Sequence, residues 1–338
     1  MPMPGEPSRR LSLDEYADGV LAGHRPTLAR AITLIESSVA ADRHLAAQLL
    51  ARLQPHTGQS RRIGITGPPG AGKSTFLESL GRYLTQTLAE PVAVLAVDPS
   101  SPLSGGSILG DKTRMPLLSA DERAFVRPSP SRGHTGGVAR HTRETILLCE
   151  AAGFRNVFVE TVGVGQSEVA IRSITDFFLL LLPPAAGDGL QGIKRGVVEL
   201  ADCIAINKAD GELLPAARRA MADYAAALHL FPPASSGWRP EVVLCSALTQ
   251  TGVEAIWQIV LRHRQQLDST GVLVRQRHEQ ALQWLTELIH QGLESRFRAH
   301  EGVAAAIAEW ERAVATGAAA PAAAEALLRI FDSPPPRK

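Results

Sequence analysis

The chain is short of cysteine, of net charge and of long apolar runs, and each shortage excludes a class of protein. Its 338 residues contain three cysteines. Cys149, Cys203 and Cys245 lie far apart, each inside an apolar stretch such as Ile146-Leu147-Leu148-Cys149, so they read as buried core thiols rather than a disulfide framework or a zinc site. The formal net charge is +1, which gives no electrostatic footprint for nucleic acid or an anionic membrane surface. No apolar run is long: Phe177 to Leu182 ends in Pro183-Pro184 and is far too short to span a bilayer. That run reads as a central strand buried on both faces of a parallel sheet. The segment Met1 to Arg10 is rich in proline and polar residues and has no apolar stretch of signal-peptide length, so the expectation is a cytoplasmic chain.

What the chain does have is a complete phosphate-binding pattern. Gly67-Pro68-Pro69-Gly70-Ala71-Gly72-Lys73-Ser74 fills every fixed position of G-x-x-x-x-G-K-[ST]. Arg62 to Thr66 before it reads as a short buried strand and the residues from Thr75 onward begin a helical pattern, which is the order of elements the motif requires. Glycines at 67, 70 and 72 let successive backbone N–H groups turn inward around phosphate oxygens, with Ala71 and Thr75 completing the cradle. The anion then sits at a helix N-terminus, Lys73 reaches the β- and γ-phosphates, and the Ser74 hydroxyl ligates Mg²⁺.

Around this loop the chain has three parts. Residues 1–58 form an N-terminal helical extension, opened by the capping-box spacing of Ser12-Leu13-Asp14-Glu15 and continued by helical segments near Thr27 to Ser38 and His44 to Leu53. In residues 59–267, strands at Arg62 to Thr66, Val92 to Val97, Asn156 to Glu160, Phe177 to Leu182, Cys203 to Asn207 and Val242 to Ser246 alternate with helices. That rhythm predicts an α/β fold with a doubly wound, mostly parallel sheet. Residues 268–338 carry no strand signal. Leu282, Leu285, Leu288, Ile289, Leu293 and Phe297 recur there at helical spacing, and a second helical pattern runs from Gly302 to Thr316 before an alanine-rich stretch. This helical arm must bury its stripe, either against the core or, as favoured here, in a homodimer.

A second motif addresses the base. Asn207-Lys208-Ala209-Asp210 follows a strand, and Asn-Lys-x-Asp in that place is how guanine is read. An aspartate accepts from both the ring N–H and the exocyclic amine of guanine, whereas adenine has the opposite polarity at that ring nitrogen and would leave the carboxylate unpaired. Ser246-Ala247-Leu248, after the next strand, matches the loop that backs the base. Between these anchors, Asp98 ends a strand, Asp111 follows Gly105 to Gly110, and Glu160 begins Glu160-Thr161-Val162-Gly163. Carboxylates at the C-terminal ends of parallel strands point into the crevice for phosphate and magnesium, although each could also cap a turn.

Taken together, Val97 to Ser101, Gly105 to Arg114 (GGSILGDKTR), Arg127-Pro128-Ser129, Leu147 to Gly153, Val159 to Glu168 (VETVGVGQSE) and Leu190 to Arg195 resemble the MeaB/ArgK group of P-loop GTPases, chaperones associated with adenosylcobalamin-dependent methylmalonyl-CoA mutase. The resemblance spans nearly the whole chain. It implies a GTPase that binds the mutase or a related acyl-CoA mutase, protects it, and gates cofactor loading. It also implies that Lys73 and Ser74 hold phosphate and Mg²⁺, that Asp98, Asp111 and Glu160 form the magnesium and water shell, and that Asn207 and Asp210 read guanine. A third loop, Ala185 to Arg195, carries Asp188 and Lys194, which by the same resemblance swing toward the nucleotide when the partner docks. Without such a cation, turnover is expected to be slow, on the order of 10⁻⁴ to 10⁻² s⁻¹.

Three other readings have distinct signatures. A nickel-type metallochaperone GTPase needs clustered Cys and His near the switch loops, where this chain offers His134 and His141 without a nearby cysteine. A transport-system or protein kinase would use ATP, against the guanine motif. A scaffold would hold nucleotide without hydrolysing it.

Overall fold

The computed structural model describes residues 10–37, 39–98, 115–130, 135–161, 167–184, 195–229 and 236–333. They fall into two compact units, Met1–Arg277 and His278–Lys338.

The first unit is built on seven strands: β1 (Arg61–Thr66), β2 (Val92–Asp98), β3 (Ala124–Pro130), β4 (Asn156–Thr161), β5 (Phe177–Leu182), β6 (Cys203–Ile206) and β7 (Glu241–Leu244). Their order is β3-β2-β4-β1-β5-β6-β7 and every neighbouring pair is parallel. β1 is central, since Ile63 pairs with Phe158 on one side and Phe177 on the other. The chain runs out to β2 and β3, returns to β4, and crosses β1 to reach β5. Such a reversal opens a crevice at the carboxyl ends of the strands.

Strand residues alternate between two covered faces, as a pleat of period two requires. Phe177, Leu179 and Leu181 of β5 join Ile63, Phe76, Leu77 and Trp257 in one core, while Leu180 and Leu182 join Ile204 and Ile206 in another. The unit's helices in chain order are α1 (Leu13–Leu21), α2 (Arg25–Ile35), α3 (Ala40–Leu53), α4 (Lys73–Arg82), α5 (Pro116–Ala120), α6 (Thr135–Ala151), α7 (Ser167–Arg172), α8 (Arg195–Leu200), α9 (Leu214–Leu228) and α10 (Val253–Ser269). Helix α11 (Val272–Ala299) begins in this unit, and α12 (Glu301–Ala315) and α13 (Ala320–Asp332) belong to the second.

The sheet has one strand more than the sequence predicts. β3 contains Arg127, Pro128 and Pro130, and proline has no N–H for a ladder, so it reads as a loop until its place at the sheet edge is seen. Helices α1 to α3 share a core with the sheet: Tyr16, Leu28, Ile32, Leu49 and Leu53 cluster with Leu95, Val97, Ile146 and Phe178. The capping box forms, with Glu15 N donating to Ser12 Oγ at 3.2 Å and Ser12 N donating to Glu15 Oε2 at 2.7 Å. Arg127 binds Glu36 at 2.7 Å and so fastens α2 to the edge strand.

In the second unit the alanine-rich stretch is a helix, α13, where the sequence reading ended with α12. Alanine has the highest helix propensity and Pro321 is tolerated at the first turn. Phe331 packs on Phe297 and His300, each with ring centroids 5.5 Å apart, and Val303 and Ala323 are buried. The three cysteines are buried and free. Among the described residues no helix is long and apolar enough to cross a membrane.

Candidate nucleotide site

The crevice is lined first by the loop from β1 to α4. Gly67 has φ 151° and a Cβ there would overlap the carbonyl oxygen of Leu181, so the strand end and the loop approach as closely as only glycine permits. Gly72 caps α4 in a left-handed conformation, φ 89°, and a Cβ on it would meet Asn207 Nδ2 at 2.6 Å. The loop is thus closed against two neighbouring strand ends at once. Lys73 Nζ is buried and donates to Gly67 O at 2.8 Å and Pro68 O at 3.2 Å. Ala71 is buried, whereas Thr75 is exposed in the first turn of α4.

Ser74 Oγ donates to Glu160 Oε1 at 3.0 Å. This contact brings the start of α4 to the end of β4, where Glu160 is buried. Thr66 and Thr161 hydroxyls, 2.8 Å apart, tie the same ends of β1 and β4 together. A hydroxyl and a carboxylate side by side at a helix N-terminus are hard oxygen donors, suited to a divalent cation such as Mg²⁺. Asp98 is the last residue of β2, in register with Pro130, and its side chain lies outside the description. Asp111, Asp188 and Lys194 lie outside the described residues.

Asn207 joins the two motifs. Its Nδ2 donates to Ala71 O at 2.8 Å, its Oδ1 accepts from Ala247 N at 3.0 Å, and its backbone N donates to Leu182 O at 2.8 Å. The Cys245 thiol also lies 3.6 Å from Oδ1, as a donor. Asp210 is held from behind: Ser246 Oγ donates to Asp210 Oδ2 at 2.8 Å and accepts from Thr249 N at 3.1 Å. Lys208 is exposed with φ 60°, and Leu248 is 81% exposed. The phosphate loop and the Asn-Lys-Ala-Asp loop, over a hundred residues apart in sequence, therefore form one continuous hydrogen-bonded surface.

The family described as methylmalonyl Co-A mutase-associated GTPase MeaB matches residues 28–302. The chain belongs to the MeaB family of GTPases. Among its relatives, GTPase ArgK of Escherichia coli is 46% identical over 279 residues, covering 82% of this chain and 84% of that one. The mitochondrial methylmalonic aciduria type A homolog of Mus musculus is 45% identical over 332 residues, 95% of this chain and 80% of that one. Among solved structures, one described as LAO/AO transport system kinase aligns with TM-score 0.74 at 35% identity, covering 96% of this chain and 100% of that chain.

The MeaB-family motifs named the loops in sequence but not what braces them. The Thr66 and Thr161 pair, the Cys245 thiol beside Asn207, and Glu78 on the helix after the loop come to light only in the structure. Glu78 stands four residues after Ser74 and hence on the same helix face, but its partners are set by tertiary structure alone.

Proposed function

We propose that this chain binds GTP with Mg²⁺, hydrolyses it slowly alone, and acts as a nucleotide-timed chaperone for an adenosylcobalamin-dependent acyl-CoA mutase, methylmalonyl-CoA mutase foremost. The observation that carries the nucleotide reading is the bond from Asn207 to Ala71, which couples a base-reading loop to a phosphate loop. The family description and the name of the mouse relative support the choice of partner.

In this reading Gly67, Gly70, Ala71, Gly72 and Thr75 offer the cradle, and Lys73 brings positive charge to the β- and γ-phosphates. Ser74 and Glu160, with Asp98 and Asp111, would hold Mg²⁺, which neutralises charge on the phosphate oxygens when bound. Their oxygen chemistry fits that ion. Asn207, Lys208 and Asp210 read guanine, backed by Ser246, Ala247 and Leu248. Asp188 and Lys194 act when the mutase docks, and Lys194 supplies the cation that raises turnover. The protein works in the cytoplasm as a homodimer joined through its helical arm.

The test is a GTPase assay of wild type and Lys194→Ala, alone and with methylmalonyl-CoA mutase, with ATP as comparator. GTP-specific turnover that the mutase stimulates in wild type but not in the variant is expected. Stimulation of equal size in both would remove Lys194 from the mechanism, and no stimulation of the wild type by the mutase would remove the partner.

A further inference from the structure

The face of α4 that carries Ser74 bears a second polar group. One turn further along, Glu78 is half-buried and its carboxylate is fully engaged at the start of α5: Leu117 N donates to Oε1 at 2.8 Å and Leu118 N donates to Oε2 at 3.2 Å. The first amides of a helix have no partner within it, and Pro116 at the first position has no N–H at all, so Glu78 provides acceptors for the next two. Hydrogen bonds from backbone N–H to an ionised carboxylate are among the stronger kind.

Apolar packing closes the same joint. Leu118 and Met115 are fully buried beside Phe76, Leu77 and Leu80 of α4. A Cβ at Gly81 would stand 2.5 Å from Leu118 Cδ2, so the Leu118 side chain packs directly on the α4 backbone. A second polar staple lies further along, where Thr85 Oγ1 donates to Asp121 Oδ2 at 2.7 Å. Glu78 thereby fastens the start of α5 to α4.

Two polar attachments therefore act on one face of α4, one turn apart: Ser74 on Glu160 and Glu78 on α5. Together they set the rotation of the helix about its axis, and with it the direction of the Ser74 hydroxyl. We propose that Glu78 is a positioning residue for GTP hydrolysis, holding α4 in the rotation that aims Ser74 at the metal shell. The proposal rests on the reading of Ser74 as a Mg²⁺ ligand.

The experiment measures GTP turnover against Mg²⁺ concentration, with KM for GTP, in wild type, Glu78→Ala and Glu78→Gln. In Glu78→Ala the half-saturating Mg²⁺ concentration should rise several-fold and kcat fall roughly tenfold, as misplacement of a catalytic ligand costs, with KM within about twofold of wild type. Glu78→Gln keeps one acceptor oxygen and should fall between. It also decides the matter if the alanine variant does not fold. An unmoved Mg²⁺ dependence in the folded variants, whatever happens to Tm, overturns the proposal and leaves Glu78 a structural cap. A wild type with no Mg²⁺-dependent GTP turnover would overturn it together with the reading of Ser74, and so is told apart.

Discussion

Asn207 is almost completely buried and its side chain makes three separate connections, which gives it a structural value independent of any nucleotide. Replacement by alanine would leave the Ala71 carbonyl and the Ala247 amide without this partner inside the protein, and an unsatisfied buried group costs on the order of 1–3 kcal/mol. Asn207→Ala should therefore lose about 2 kcal/mol in urea unfolding performed without nucleotide; an unchanged midpoint would mean that the two loops are held together by other contacts. At this scale the site was legible wherever its chemistry sits in a contiguous string. Gly67 to Ser74 and Asn207 to Asp210 announce themselves because a backbone cradle and a base-reading loop are each made by consecutive residues. Ser246 was identified only as part of a loop behind the base, and its hydrogen bond to Asp210 requires β6 and β7 to lie side by side. Thr66 with Thr161, and Glu78 with Leu117, are tertiary meetings that no local pattern encodes.

Elements were legible where they are apolar and uninterrupted. β5 is a continuous buried run and was readable outright, whereas β3, with two prolines, needed its edge position to make sense. Invisible in sequence was the ionic joint under the sheet that fixes the first turns of α11. Arg277 donates to Asp176 at 2.7 and 2.9 Å, to Ser60 O at 2.7 Å and to Gly58 O, while Arg62 binds Glu150 at 2.8 and 2.9 Å. Burial pushes the Asp176 carboxyl up, but the hydrogen bonds and charge of Arg277, with Arg62 behind, outweigh it and hold the group below the usual carboxylate range. Removing one partner of a buried pair strands the other, at a cost of about 3–5 kcal/mol. Arg277→Ala should lose that much at neutral pH, and Arg277→Ala with Asp176→Asn should recover part of it. Because the folded value is depressed, the pair stabilises above the unfolded value of about 3.9 and ceases to as pH falls through the folded one, so the penalty should shrink below about pH 4. Denaturant melts of the three proteins at pH 7 and in acid check this, and a penalty independent of pH would assign the loss to packing.

For the whole molecule, the decisive surface is the stripe on α11. Leu282, Leu285, Ile289 and Leu293 are each more than half exposed, at spacings of three and four residues that place them on one face. Within the second unit the apolar contacts run instead through Phe297, Val303, Ala323 and Phe331. Since each is already partly covered, burying the remainder of these four aliphatic side chains offers about 1–2 kcal/mol each, and a self-complementary helix face is the simplest way to do so in a closed twofold assembly. That is the physical support for the proposed homodimer. Light scattering should give the mass of two chains for wild type and of one for Leu285→Glu with Ile289→Glu, since two carboxylates per copy cannot be desolvated against each other. Circular dichroism of the variant should stay helical, because both positions are solvent-exposed. GTP turnover without the mutase should persist in the monomer, because Lys73, Ser74, Glu160, Asn207 and Asp210 all come from one copy. A wild type that is monomeric at micromolar concentration would refute this role for the stripe.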